Sequence, residues 1–231
     1  MLSHARRIVA SCAVILVLAL LLSPVTAHGQ NMRTVTLDRG VQDPAVSPDG
    51  SRIAVGIIGD LWLVPIEGGA ASQLTTGAGW DAHPAWSPDG RFMAYSHRRR
   101  GHSDLVLRTM ATGGTRTLYS TEHSIGQIAF HPTEAKVFFV RDLGQYEAHL
   151  WSVPTSGDGA QQVTHGTSPQ AEWSFALSPD GSEVALEWVR FGPADLFRMT
   201  LDSVPAVDRL TETPHDEFGV QWTADGASLI Y

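Results

Sequence analysis

The sequence predicts an all-β fold built from repeated four-stranded units, which is the pattern of a β-propeller. A short motif recurs five times, and its marker residues Ser47, Ser87, His131, Ser178 and Thr223 are separated by 40, 44, 47 and 45 residues. A repeat in the forties that is filled with short strands and turns has the length of one propeller blade. No apolar pattern of helical period accompanies it, so the predicted class is all-β.

Each copy of the motif is a tight turn between two apolar strands. In Ser47-Pro48-Asp49-Gly50 the proline presets φ, the aspartate bonds the backbone and the glycine accepts positive φ. Two strands then follow, and a glycine-rich or irregular turn leads to an outer strand. The predicted units cover residues 43–80, 81–125, 126–170, 171–215 and, in part, 216–231, with a closing strand at 33–37.

Four complete units and a partial fifth indicate an incomplete ring. An open ring leaves unpaired strand edges, and such edges tend to pair with other chains. We therefore expect either a longer natural product with further blades or self-association through the open edges.

The first 27 residues are expected to be a signal peptide. Arg6 and Arg7 precede an uncharged apolar run at 8–22, and Ala27 ends a short stretch that suits cleavage. The alternative is a membrane anchor, but the run is shorter than the roughly 20 residues that span a bilayer. Lipidation at Cys12 is disfavoured because this cysteine lies at the start of the apolar run, whereas in lipoprotein signals the apolar region precedes the cysteine. The expected location is the periplasm or the exterior, without stable membrane insertion after cleavage.

Composition narrows the classes of partner. The formal net charge is −8, and removal of residues 1–27 makes it −10, which argues against nucleic acid. Cys12 is the only cysteine, so the mature chain has no disulfide and no cysteine–zinc cluster. The ten histidines show no ligand spacing, and neither a metal nor a cofactor is expected.

The repeats resemble those of the TolB-like family, a relative of the WD-type repeats. The resemblance spans roughly residues 31–231 and rests on Pro84-Ala85-Trp86-Ser87-Pro88-Asp89-Gly90, on Gly59-Asp60-Leu61-Trp62, and on Gly68-Gly69 ahead of Gln73-Leu74-Thr75. It implies a propeller. The opening blades resemble the amino-terminal propeller of exported amidohydrolases and of tricorn-like or prolyl-oligopeptidase-like peptidases more than TolB itself. In TolB a small α/β domain precedes the propeller, and the predicted closing strand leaves no room for such a domain here.

A basic hairpin is the first candidate binding site. His97, Arg98, Arg99, Arg100 and His102 stand out in an acidic chain, and arginine pairs bidentately with carboxylates. Arg141 and Arg190 fall in the corresponding hairpins of later units and would extend a basic rim. The alternative is a solvated hairpin tip that keeps the protein soluble.

Two tryptophans are the second candidate. Trp80 and Trp173 lie near the start of units, outside the phase in which Trp62, Trp86, Trp151 and Trp222 recur as packing residues. Asp81, Asp216 and Glu217 also lie in connections between units, where they either bind a ligand or bond backbone amides.

No catalytic residue is expected, because neither a nucleophile elbow nor a metalloprotease motif is present. We therefore expect an exported, non-catalytic module that binds a protein or peptide, for example an acidic segment. The alternative is the propeller of a larger periplasmic hydrolase, an amidohydrolase or peptidase, whose substrate it would gate.

Overall fold

The computed structural model describes residues 42–145, 147–165, 170–189 and 192–231. The proposed signal peptide 1–27, the closing strand 33–37 and Arg190 lie outside these residues. Every described element is a β-strand, and the strands form four complete blades and the beginning of a fifth. They are β1 Gln42–Val46, β2 Arg52–Ile57, β3 Asp60–Pro65 and β4 Ser72–Gln73; β5 Trp80–Trp86, β6 Phe92–Arg99, β7 His102–Thr109 and β8 Thr115–Thr121; β9 Ser124–Phe130, β10 Lys136–Gly144, β11 Glu147–Pro154 and β12 Gln161–Gln162; β13 Gln170–Leu177, β14 Glu183–Val189, β15 Ala194–Thr200 and β16 Val207–Arg209; and β17 Gln221–Trp222 with β18 Leu229–Ile230.

Each complete blade is an antiparallel sheet whose strands pair in chain order. Blades 3 and 4 are also joined edge to edge, because β11 and β13 pair in parallel at Ala148 and Ala171. The predicted all-β architecture of four complete units and a partial fifth is confirmed. The described residues form no closed ring.

The core is divided into layers between successive blades. Alternate residues of a strand point to opposite faces of its sheet. In β10, Val137 and Phe139 therefore pack with residues of blade 2, whereas Phe138 and Val140 pack with blade 4. Similar layers lie between blades 1 and 2 and between blades 4 and 5. Apolar residues of successive blades are thus buried against one another.

Side-chain hydrogen bonds tie one blade to the next. The indole of Trp86 donates to the Ala45 carbonyl at 3.0 Å, and the indole of Trp222 donates to the Ala176 carbonyl at the same distance. The two tryptophans occupy the same position in their repeats, so this phase reflects packing between blades.

Other ties are specific to one junction. The amide of Gln127 both donates to the Phe175 carbonyl and accepts from the Phe175 N–H, each at 2.9 Å. The carboxylate of Glu187 accepts from the backbone of Val220 at 3.0 Å, and the guanidinium of Arg116 donates to the Thr155 carbonyl.

The turns of the motif have the expected hydrogen bonds. In the first turn the Gly50 N–H donates to the Ser47 carbonyl, and the Ser47 hydroxyl donates to Asp49 Oδ1 at 2.6 Å. In the third turn, His131 stands at the position that serine or threonine occupies in the other turns. Its Nδ1 accepts from the Glu134 N–H at 2.9 Å, so its Nε2 carries the proton and donates to the Gly181 carbonyl at 3.0 Å.

Candidate functional site

The first strands of blades 1 to 4 meet around a cavity of about 520 Å³, which we call the inner cavity. Each of these strands contains a bulge, where the pairing with the second strand shifts register. A bulge bends a strand and redirects its side chains. The cavity is lined by residues from all four blades, among them Trp80, Arg98, Asp142 and Trp173.

Two exposed tryptophans lie in the wall of the inner cavity. Trp80 is 48% exposed and Trp173 is 44% exposed, whereas Trp86 and Trp188 are buried. A large aromatic ring left half open to solvent offers a face for an apolar or cationic group of a ligand. The structure thus brings together the two tryptophans that the sequence singled out.

The basic hairpin does not act as one patch, because strand alternation sends its side chains to different places. Arg98 lines the inner cavity. Arg99 lies on the opposite face of β6 and approaches Asp104 Oδ2 at 3.4 Å. Arg100 is exposed at the tip of the hairpin, with φ of 34°.

The two histidines of this hairpin are paired with buried aspartates. His97 Nδ1 lies 2.6 Å from Asp81 Oδ1, and His102 Nε2 lies 3.2 Å from Asp104 Oδ1. Both imidazoles therefore help to fix the hairpin on its sheet.

Arg141 is not part of the inner cavity. Its guanidinium carbon lies 5.1 Å from the centre of the Trp151 ring, on the face of blade 3 that packs against blade 2. The side chain is half-buried in β10 rather than placed at a hairpin tip.

The charges of the inner cavity leave one cation without an acidic partner. Asp43 accepts from the backbone N–H of His83, and its Oδ2 lies 3.2 Å from His83 Nδ1; these contacts lower the pKa of Asp43. Asp142 accepts from the Gly144 N–H at 2.8 Å. No carboxylate of the described residues lies within ion-pair distance of Arg98.

The acids at the blade connections make local bonds. Asp216 Oδ1 accepts from the Ala194 N–H at 2.8 Å, and the Glu217 carboxylate accepts from the hydroxyls of Thr211 and Thr213 at 2.7 Å each. The hydroxyl contacts lower the pKa of Glu217. These side chains therefore serve as structural acceptors.

Sequence reasoning missed one buried acid–histidine pair. Glu172 is 0% exposed, and its Oε2 lies 3.2 Å from Nδ1 of the buried His149. A signal was present: Asp81, Glu172 and Glu217 each stand six residues before a marker residue of the repeat. The repeated position of the acid, which faces the preceding blade, could have been predicted from the sequence, but its histidine partner could not.

Two further searches concern the described ranges only. No group of three or more histidine, cysteine, aspartate or glutamate residues there is arranged to hold a metal ion. Within the same ranges, no helix has the length and apolarity needed to cross a bilayer.

Comparisons with known proteins agree with this architecture. No family model matches the chain. A dipeptidyl-peptidase 5 of Porphyromonas gingivalis is 25% identical over 220 residues, covering 83% of this chain and 31% of that protein. A TolB homolog of Chlorobium chlorochromatii is 28% identical over 126 residues, covering 54% of this chain and 28% of that protein.

Among solved structures, TolB from Acinetobacter baumannii superimposes with a TM-score of 0.71 at 20% identity, over 85% of this chain and 49% of that chain. The chain therefore has a TolB-like β-propeller fold, and its distant relatives include TolB proteins and peptidases. It spans less than a third of the length of the two relatives named above.

Proposed function

We propose that this chain is an exported, non-catalytic β-propeller that binds a protein or peptide segment at the inner cavity. One observation carries the proposal: Trp80 and Arg98 of blade 2 and Trp173 of blade 4 line the same cavity. Both tryptophan rings are nearly half exposed, and Arg98 has no acidic partner among the described residues.

The chemistry of these three side chains favours an acidic peptide. A guanidinium binds a carboxylate through two parallel N–H bonds, and indole faces contact neighbouring apolar side chains. A cavity of about 520 Å³ has the size of small-ligand sites and can admit a few side chains rather than a folded domain.

A pair of labelled peptides tests the proposal. One peptide alternates Glu and Leu, and the matched peptide has Gln in place of every Glu. We expect the Glu peptide to bind more tightly, as measured by fluorescence anisotropy, and its affinity to fall with added salt because exposed charges are screened. Arg98→Ser should reduce that affinity about tenfold, which corresponds to about 1.4 kcal/mol.

The matched control is Arg91→Ser, which removes the same charge beside the turn of Asp89, at a site that does not line the inner cavity. Trp80→Ala and Trp173→Ala should weaken both peptides. Equal binding of the two peptides, or an Arg98→Ser variant that binds like the parent, would refute the proposal.

The proposal includes the absence of hydrolytic activity in this chain. In the described ranges no serine hydroxyl forms a hydrogen bond with a histidine ring. The histidine rings instead contact acids and backbone groups, and His131 also has a contact of 3.4 Å with the Thr133 hydroxyl. Turnover of peptide or amide substrates by the purified protein, above that of a mock preparation, would contradict it.

A second candidate is the propeller domain of a longer hydrolase, in which the inner cavity would orient substrate for catalysis elsewhere. The similarity to a dipeptidyl-peptidase 5 favours this reading. An antibody against residues 42–231 would decide between the two, since a hydrolase parent requires a native band well above the 25.0 kDa of this chain.

Export is the remaining part of the proposal and rests on the sequence of residues 1–27. Fractionation of the source cells and amino-terminal sequencing of the mature protein would test it. A first residue of His28 supports export, and a cytoplasmic protein that begins at Met1 contradicts it.

A further inference from the structure

A second cavity lies on the other face of β6, between blades 1 and 2. The outer strand of blade 1, β4, has only two residues, whereas β8 of blade 2 has seven. Blade 1 therefore leaves part of the facing surface of blade 2 uncovered. The resulting cavity of about 670 Å³ is called the outer groove here.

Alternate residues of β6 and β7 form the floor of the outer groove. Tyr95 pairs with Val106 and His97 pairs with Asp104, so these side chains share one face of the sheet. Arg98 belongs to the opposite face and lines the inner cavity. The groove is thus a site separate from the one proposed above.

The two acids of the outer groove already have hydrogen-bond or ion-pair partners. Asp81 is bound to His97 at 2.6 Å. Asp104 contacts three groups, which are the Ser120 hydroxyl at 2.6 Å, His102 Nε2 at 3.2 Å and Arg99 Nη2 at 3.4 Å.

Arg108 is the cation of the groove that lacks such a partner. Its Nε is buried and makes no hydrogen bond, and no carboxylate of the described residues pairs with it. The guanidinium lies against Gly113, where an added Cβ would be 3.0 Å from Nη2, so the glycine makes room for the arginine. Arg116, at the edge of the groove, is held by its bond to the Thr155 carbonyl.

Hydroxyl groups line the same groove as this cation. Burial, together with the negative charge of Asp81, raises the pKa of Tyr95 to about 12, so its hydroxyl remains a donor at neutral pH. Thr76, Thr115 and Thr117 add three more hydroxyls, whereas Leu74 and Val106 are the aliphatic side chains of the lining.

We propose that the outer groove binds a small polyhydroxylated anion, a sugar acid or a sugar phosphate. The Arg108 guanidinium would hold the carboxylate or phosphate, since its planar fork matches either oxyanion. Tyr95 and the threonines would bond the sugar hydroxyls. The mainly polar lining disfavours an apolar ligand.

Calorimetric titration tests this site with three probes: glucuronate, glucose 1-phosphate and neutral glucose. We expect at least one of the two anions to bind with a Kd in the millimolar range or below, which is about −4 kcal/mol or stronger, and glucose to bind at least tenfold more weakly. The anion that binds more tightly identifies the oxyanion.

Arg108→Gln should weaken the anion at least tenfold, and Tyr95→Phe should weaken it several-fold. Arg91→Gln is the charge-matched control and should bind like the parent. If Arg108→Gln fails to fold, the Nε–H resonance of Arg108 in the parent protein gives the readout, because an oxyanion bound by the Nη groups of the same planar guanidinium should shift it.

The proposal is overturned if neither anion binds at about 10 mM, if glucose binds as well as the anions, or if the Arg108 resonance does not respond. Binding that Arg108→Gln leaves unchanged would also overturn it. None of these outcomes concerns the inner cavity, so the peptide proposal stands or falls separately.

Discussion

At the scale of single residues, Glu172 is the side chain whose surroundings oppose its usual charge. It is fully buried, and its Oε1 has no hydrogen-bond partner among the described residues. His149, whose Nε2 lies 3.5 Å from Glu147 Oε1, is its ionisable contact. Burial raises the pKa of Glu172 to about 7, because ionisation would place a charge in a poorly solvated site.

Replacement of Glu172 by Gln should change how stability depends on pH. The folded-state pKa is raised above the 4.5 usual for an exposed glutamate, so the contribution of Glu172 is fully present below pH 4.5 and is lost as pH rises through about 7. The free energy of unfolding of the parent, relative to Glu172→Gln, should fall by roughly 2 to 3 kcal/mol from pH 4.5 to 8. Urea unfolding at several pH values measures it.

Glu134→Gln is the control, since this exposed carboxyl is bound to Lys136 and its pKa is lowered. Unlike Glu172→Gln, this variant should not become more stable than the parent at high pH. Parallel pH profiles for the parent and Glu172→Gln would show that the buried carboxyl does not titrate in this range.

At the scale of elements, the turns of successive blades lie against one another. Gly181 of the fourth turn packs on the His131 imidazole, where an added Cβ would lie 2.2 Å from Cε1. The same imidazole bonds the Gly181 carbonyl and the Glu134 amide. One histidine therefore shapes its own turn and holds the next.

Gly181→Ala should destabilise the protein far more than Gly50→Ala. Both glycines have positive φ, 79° and 68°, but nothing lies within 4 Å of a Cβ at Gly50. Left-handed strain should cost roughly 1 to 2 kcal/mol in either variant. The displaced imidazole should add about 1 to 3 kcal/mol at Gly181 alone. Equal losses in thermal unfolding would show that the His131 contact is dispensable.

The repeat predicted the elements well, because proline, aspartate and glycine act locally in the first, second and fourth turns. The deviant third copy shows the limit: the sequence marks His131 as a departure, but it does not show that Nδ1 accepts from the Glu134 N–H, whereas in the other turns the corresponding N–H donates to the carbonyl of the marker residue. Strand alternation was enough to predict that the side chains of Arg98 and Arg99 point to opposite faces of the sheet. The outer groove could not be predicted from the sequence, since it depends on how short β4 is compared with β8 of the next blade.

At the scale of the whole molecule, the layers between blades differ in size. The layer between blades 3 and 4 has a core of eleven buried residues, whereas the layer between blades 4 and 5 has three. The β17–β18 hairpin pairs through two residues per strand. Local stability follows buried apolar contact, so it should fall towards residue 231.

Hydrogen exchange should reveal this gradient. Amides of β17 and β18 should exchange orders of magnitude faster than those of β10 and β14, because their opening exposes little apolar surface. Exchange monitored by mass spectrometry over peptides 221–230 and 136–144 measures the difference, and β6 in blade 2 serves as a second protected reference. Uniform protection would mean that the described residues open as one cooperative unit.

Apart from the repeated tryptophan bond, the blade junctions use different side-chain bonds although the blades share one repeat. Gln127 forms hydrogen bonds with the Phe175 backbone, Glu187 accepts from the Val220 N–H, and Asp43 accepts from the His83 N–H. Nascent chains of similar repeats risk docking one unit onto the wrong neighbour. Because a misplaced blade would leave these acceptors, of which Glu187 is buried, without their partners, we expect the junctions to favour the correct order of assembly.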